Sequence, residues 1–246
     1  MKNSVLLLLF FLIWVLPSHA CSQLQVPILI YHSIDEYKGY GSKELYVTPE
    51  NFEKQMMYLK KHGYTLLTFD QWQNITKVNK PIFITIDDGY KNNLNVYSIF
   101  QKLKDQQFKP VATLFVISEF INRPSRLSNL ELKNLAESGF FSIQSHTATH
   151  PDLRNVKNYK YELKESKETI ERITGKPVIA LAYPYGNFND NVIEETKKYY
   201  QFGLTTIPGP FIEKGLKNES YLLPRIYIKY STTLEEFAKA VQPIPM

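Results

Sequence analysis

The sequence predicts an α/β fold in which a parallel sheet closes into a barrel. Three observations carry that expectation. Short apolar runs alternate with segments of helical spacing along residues 22–246. The strand-like runs are apolar at successive positions, as strands covered on both faces are. About seven such units follow one another, without the GxGxxG or Walker-type loop that would mark a nucleotide-binding open sheet. The chain has 246 residues, 43% hydrophobic and 22% charged, which excludes collagen-like, low-complexity and disordered classes and suits one large core.

Residues 1–20 read as an export signal. Lys2 supplies the positive start, residues 5–16 are an unbroken apolar run, and Ala20 is a small residue suited to cleavage. Twelve apolar residues are short for a membrane span. The expectation is a protein secreted to the periplasm, the cell envelope or the exterior, with its folded domain over residues 21–246. Cys21, the lone cysteine, leaves a lipid anchor as the lesser alternative, and it excludes an internal disulfide. A net charge of +5 without a basic run gives no footprint for nucleic acid.

Within the domain, residues 26–32 form the first expected strand, and 49–62 the first helix, with Phe52, Met56 and Leu59 on one face and Gly63 at its end. Strands at 64–69 and 81–86 and a helix at 92–103 come next. A strand at 111–117 precedes a helix at 129–137, and a strand at 140–144 precedes a helix at 159–174 whose Lys and Glu residues suggest a solvated face. Strands at 178–182, 202–206 and 221–228 alternate with helices at 190–200 and 233–241.

Polar residues collect just after these strands, where barrels of this class place their active sites. Asp87 and Asp88 follow the strand 81–86, where alternation can aim successive carboxylates differently, and Gly89 permits a tight turn. Alone, Asp-Asp-Gly is also a plain turn. His146 and His150 follow the strand 140–144 at i,i+4 spacing, which on one helical turn presents both imidazoles to a metal ion. Two histidines and one carboxylate, with open positions for water and substrate, describe a catalytic rather than a structural zinc site.

These residues resemble a known family, the polysaccharide deacetylases with the NodB-like domain, carbohydrate esterase family four. Thr85-Ile86-Asp87-Asp88-Gly89 is similar to its T-F-D-D-G motif, and His146-Thr147-Ala148-Thr149-His150 to H-[ST]-x-x-H. Tyr183-Pro184-Tyr185-Gly186 is similar to a third motif, apart from its arginine. The resemblance covers nearly all of the domain and implies a distorted (β/α)7 barrel. It implies Asp87 as general base, Asp88, His146 and His150 as ligands of a divalent metal, Zn²⁺ first, and the Tyr185 backbone N–H in the oxyanion hole. The implied substrate is an N-acetylated polysaccharide.

Two departures stand out. Ala182 occupies the position of the third motif's usual arginine, and Leu222-Leu223-Pro224-Arg225-Ile226 replaces the last motif, whose histidine usually serves as general acid. No histidine follows His150. His32, at the end of the first strand, is therefore the candidate acid, against a core histidine bonded to a carbonyl. Arg225 is the candidate partner of Asp87, against an ordinary ion pair. A Tyr-His at this point together with Pro-Arg looks like the poly-N-acetylglucosamine deacetylase branch. Tyr31, Tyr183, Pro184 and Tyr185 are candidate sugar contacts at the rim. An O-acetyl esterase and a non-catalytic sugar-binding module are the competing functions.

Overall fold

The computed structural model of the protein describes residues 24–242, so the expected export signal and Cys21 lie outside the described residues. Strands β1 (Gln25–Val26), β2 (Ile28–Tyr31), β3 (Ser33–Ile34) and β4 (Tyr46–Val47) lead into helix α1 (Pro49–Lys61). Thr48 caps α1 by accepting from the Asn51 N–H, and Pro49 fills its first turn. Next come β5 (Thr65–Leu67), β6 (Pro81–Ile86), α2 (Leu94–Leu103), β7 (Ala112–Val116), α3 (Asn129–Glu137) and β8 (Phe141–Ser145). The chain continues through α4 (Ser166–Thr174), β9 (Ala180–Ala182), α5 (Asp190–Lys197), β10 (Phe202–Leu204), β11 (Phe211–Ile212), β12 (Ile226–Tyr227) and α6 (Leu234–Val241).

Eight strands form one sheet in the order β10-β9-β8-β7-β6-β2-β12, with β5 also on β6, and its pairs are parallel. A single parallel bridge from Leu204 to Leu223 brings the segment that carries β12 against β10, while β12 itself pairs with β2. The segment 223–227 thus links both edges of a strongly curled sheet, and the result is a partly closed barrel of the class expected.

The period-two alternation of the strands sorts side chains into two layers. Leu29, Tyr31, Ile84, Ile86, Leu114, Val116 and Ile143 face outward and pack with Phe52, Met56, Phe100 and Leu163 from the helices. Ile28, Phe83, Phe115, Ala180, Ala182 and Leu204 face the interior. Its floor is aromatic, with Phe69 5.0 Å from Phe83 and 5.4 Å from Phe202, and Trp72 5.1 Å from Phe211. Interior positions near the ends of the strands are left for polar residues, because the aromatic floor has already filled the barrel.

Element boundaries differ from expectation where local chemistry overrides pattern. The strand expected at 221–228 shrinks to β12, since Pro224 has no N–H to give a ladder and Glu219–Tyr221 closes a tight turn. The helix expected at 159–174 begins as a π-helical stretch, Lys160–Glu165, before α4.

Candidate active site

The same alternation that buries the aromatic floor brings His32, Asp87 and His146 inward at the carboxyl ends of β2, β6 and β8. They open into a cavity of about 480 Å³, also lined by Asp88, His150, Tyr185, Arg225 and Tyr227.

Asp87 leaves the sheet with its N–H on Tyr31 O (2.9 Å) and its side chain 2% exposed. Its Oδ1 accepts from Arg225 Nη1 at 2.8 Å. Arg225 is as deeply buried, and it also donates from Nε to Thr205 O (2.9 Å) and from Nη1 to Thr85 Oγ1 (3.2 Å). Burial by itself pushes the Asp87 carboxyl up, but the Arg225 guanidinium, helped by His146, outweighs it and holds Asp87 below the ordinary carboxylate value. Asp87 therefore stays ionised at neutral pH.

Asp88 points elsewhere, and pleating is not the cause. Its φ is 73° and that of Gly89 is 64°, so two left-handed residues turn the chain away at the strand end. Arg126 Nη1 holds the Asp88 carbonyl at 2.6 Å, with its guanidinium 3.9 Å from the Tyr90 ring centroid. Asp88 Oδ1 then lies 3.6 Å from His146 Nε2 and 3.8 Å from His150 Nε2.

The two histidines sit on a loop, where a helical turn was expected. Thr147 and His150 have φ of 68° and 64°, and it is these reversals that bring the rings to 4.6 Å, edge to face. His146 Nδ1 donates to Ala182 O at 2.7 Å, which fixes the proton on Nδ1 and turns the Nε2 lone pair toward Asp88. Burial and the neighbouring His146 push His150 down to about 4, so its ring is neutral at pH 7.

One carboxylate and two imidazoles suit a divalent cation. A tetrahedral zinc site with bonds of about 2.0–2.1 Å spaces its ligand atoms about 3.3 Å apart, close to the separations found here. The three ligand atoms lie within 4.8 Å of one another.

His32 lies at the opposite wall, its ring 5.4 Å from Tyr227. Asn93 Nδ2 donates to its carbonyl (2.8 Å), while its buried Nδ1 bonds nothing among the described residues. Burial lowers its pKa despite Asp87 and Asp88 nearby. Tyr185 is exposed over the cavity, with its ring 4.7 Å from His150 and a left-handed φ of 60°. Gly186 follows at φ 71°, and a Cβ there would lie 2.0 Å from Thr206 Oγ1, so only glycine fits this turn.

Tyr31 and Tyr183 need correction as sugar contacts. Both are fully buried. Tyr31 faces outward under α1, its hydroxyl donating to Gln55 Oε1 (2.8 Å), and Tyr183 donates to Tyr221 O (3.1 Å). Alternation puts Tyr31 on the face opposite His32. Pro184 is also buried, so of these four only Tyr185 offers a ring face to the solvent.

Sequence reasoning passed over Arg126 and Glu162. Glu162 accepts from the N–H groups of Ala148 (3.0 Å) and Thr149 (2.9 Å) and from Thr149 Oγ1 (2.6 Å), in the middle of the histidine loop. Its sequence surroundings of Lys and Glu carry no sign of burial. Arg126, 38 residues from Asp88, has no local signal at all.

Known proteins resemble this chain in sequence and fold. The family model for polysaccharide deacetylase matches residues 74–204. The crystal structure of the polysaccharide deacetylase BC0361 from Bacillus cereus is 54% identical, with a TM-score of 0.88 over 89% of this chain and 70% of that one. The Streptococcus pyogenes deacetylase PplD, solved with acetate, is 26% identical with a TM-score of 0.80, over 90% of this chain and all of that one. A poly-beta-1,6-N-acetyl-D-glucosamine N-deacetylase of Staphylococcus aureus is 28% identical over 224 residues, 82% of this chain and 72% of its own length.

Proposed function

The chain belongs to the polysaccharide deacetylase family, and on that premise we propose that it hydrolyses the N-acetyl groups of a polymer of N-acetylglucosamine, using a divalent metal held by Asp88, His146 and His150. The observation that carries this reading is the division of labour between the two carboxylates. Asp88 faces two imidazoles, while Asp87 beside it is tied to Arg225 and kept ionised.

Zinc, the first candidate, would supply a lowered pKa for bound water and polarisation of the acetamide carbonyl. The rest falls to this chain's own residues. Asp87 takes the proton from the attacking water. The Tyr185 backbone N–H donates to the developing oxyanion at the turn that Gly186 permits. The C–N bond breaks and acetate forms, while the proton that Asp87 took from water passes through His32 to the leaving amine, which returns both side chains to their starting states. Burial keeps the His32 ring neutral at rest, so it charges only when negative charge develops in front of it.

A second cavity of about 550 Å³ opens beside the first and shares Leu45 with it. Its Ser33, Asp35, Asn92, Tyr40 and Tyr90 offer hydroxyl, carboxylate, amide and ring groups, as a neighbouring sugar unit would need. The named substrate of the Staphylococcus relative and the acetate bound by the Streptococcus relative fit the same reading. Secretion through residues 1–20 remains part of the proposal, because it brings the enzyme to an external polymer.

The direct test measures acetate release from N-acetylglucosamine oligomers by residues 21–246, with zinc and with a chelator. Release should need metal and return on its re-addition. Release only from O-acetylated substrates would move the assignment to an esterase, and no release with metal bound would sink the enzyme reading. His32→Ala should slow amide cleavage by about 10²–10⁴-fold. It should slow O-acetyl ester cleavage much less, because an alkoxide leaves with less protonation than an amine. Equal losses on both substrates would remove His32 from the acid's role.

A further inference from the structure

We propose that Glu162 is a positioning residue that holds His146 and His150 in the arrangement a divalent cation requires; this rests on the metal-site reading above. The loop between the histidines is conformationally costly. Thr147 and His150 both adopt left-handed backbone, at about 1–3 kcal/mol each for residues other than glycine. Such a loop persists only where its surroundings dictate its shape.

Glu162 supplies much of that dictation, beside the Ser118 and Glu119 N–H groups that donate to the Thr147 and Ala148 carbonyls. Both of its carboxylate oxygens are spent on the loop: Oε2 accepts from the Ala148 and Thr149 N–H groups, and Oε1 from Thr149 Oγ1. The main-chain oxygen of Glu162 also accepts from the Ala148 N–H (3.1 Å). The residue is 6% exposed, so a carboxylate without these donors would be strongly disfavoured there. Among the described residues no cation pairs its carboxylate, and its partners are groups of the loop. Its position is equally specific. Glu162 lies in the π-helical stretch Lys160–Glu165, a geometry rare in proteins and frequent at functional sites. The next helical turn adds a second tie, Ser166 Oγ to Ser145 Oγ at 3.0 Å, and Ser145 in turn accepts from the Thr147 N–H.

A purely structural glutamate would stabilise the apo protein and leave metal affinity unchanged. A positioning residue governs affinity as well, because misplaced ligands must be reorganised on binding. Glutamine separates geometry from charge. Its amide oxygen accepts from both N–H groups, and its NH₂ donates to Thr149 Oγ1, which can reverse its role.

The test is zinc affinity of the purified protein, measured by competition with a chelator, alongside the melting temperature of the metal-free form. Glu162→Ala should weaken zinc binding by about 10–100-fold, the range for groups whose hydrogen bonds orient metal ligands. Glu162→Gln should stay within about 3-fold of wild type, since the hydrogen bonds survive. Zinc bound by Glu162→Ala as tightly as by wild type would overturn the proposal. Loss by Glu162→Gln equal to that by Glu162→Ala would also overturn it, placing the effect in charge. A wild-type protein that binds no zinc would overturn the metal site itself, which is a separate failure. Should Glu162→Ala not melt cooperatively, Thr149→Val removes a single bond; a loss of about 2–5-fold is expected, and no loss overturns the role.

Discussion

Asp87→Asn should lower the rate of acetate release by about 10²–10⁴-fold while leaving zinc affinity nearly intact. Asparagine has the same shape, and its amide oxygen still accepts from Arg225 Nη1, now at 2.8 Å from the Asp87 carboxylate. It cannot take a proton from water. The proposed ligand set is Asp88, His146 and His150, so removal of the proposed base spares it. Turnover and zinc binding measured on one preparation check the point. Activity above a tenth of wild type would show that another group is the base. Joint loss of zinc would show that Asp87 is itself a ligand.

Arg225→Met should be the most destabilising single change at the site, by about 3–5 kcal/mol, the range for breaking one half of a buried ion pair. Methionine fills much of the volume but leaves Asp87 buried without its cation, and it also removes the Arg225 donor from Thr205 O. The pH dependence has a definite sign. In the wild type the folded Asp87 pKa is depressed, so its contribution to stability is complete above the ordinary carboxylate value and is lost as pH falls through its own lower value. Without Arg225, burial pushes the carboxyl up instead, and the acid limb of the activity profile moves to higher pH. Denaturant melts at neutral pH and a kcat profile from pH 4 to 8 read both effects. An unchanged acid limb would mean that Arg225 does not set the charge of Asp87. Arg225→Lys should recover part of the stability, since lysine keeps the charge but not the three-way fork.

How much of this was legible beforehand depends on the range of the interaction. The parallel sheet was readable because apolar runs such as 81–86 are buried on both faces, and burial is a local property of composition. Asp87, Asp88, His146 and His150 were readable because they sit immediately after their strands. The mechanism that brings the histidines together was not, since i,i+4 spacing looks helical while the loop relies on two left-handed residues held by distant groups. Glu162 was hidden because one π-helical stretch changes which face of a charged helix points inward, and composition does not record that. Tyr31 and Tyr183 were misplaced by reading nearness along the chain as nearness to the rim, against the alternation of the strand. Arg225 could be placed opposite Asp87 only through the resemblance, for 138 residues separate the two.

The stave of residues 223–227 joins β10 to β2 and carries Arg225. The counterion of Asp87 thus arrives with the last strand of this sheet, 138 residues after the carboxylate it pairs. A chain cut before residue 223 would keep Asp87, Asp88, His146 and His150, yet its Asp87 would lack the guanidinium that holds it charged. Closure of the sheet edge and pairing of Asp87 with its counterion are therefore one event.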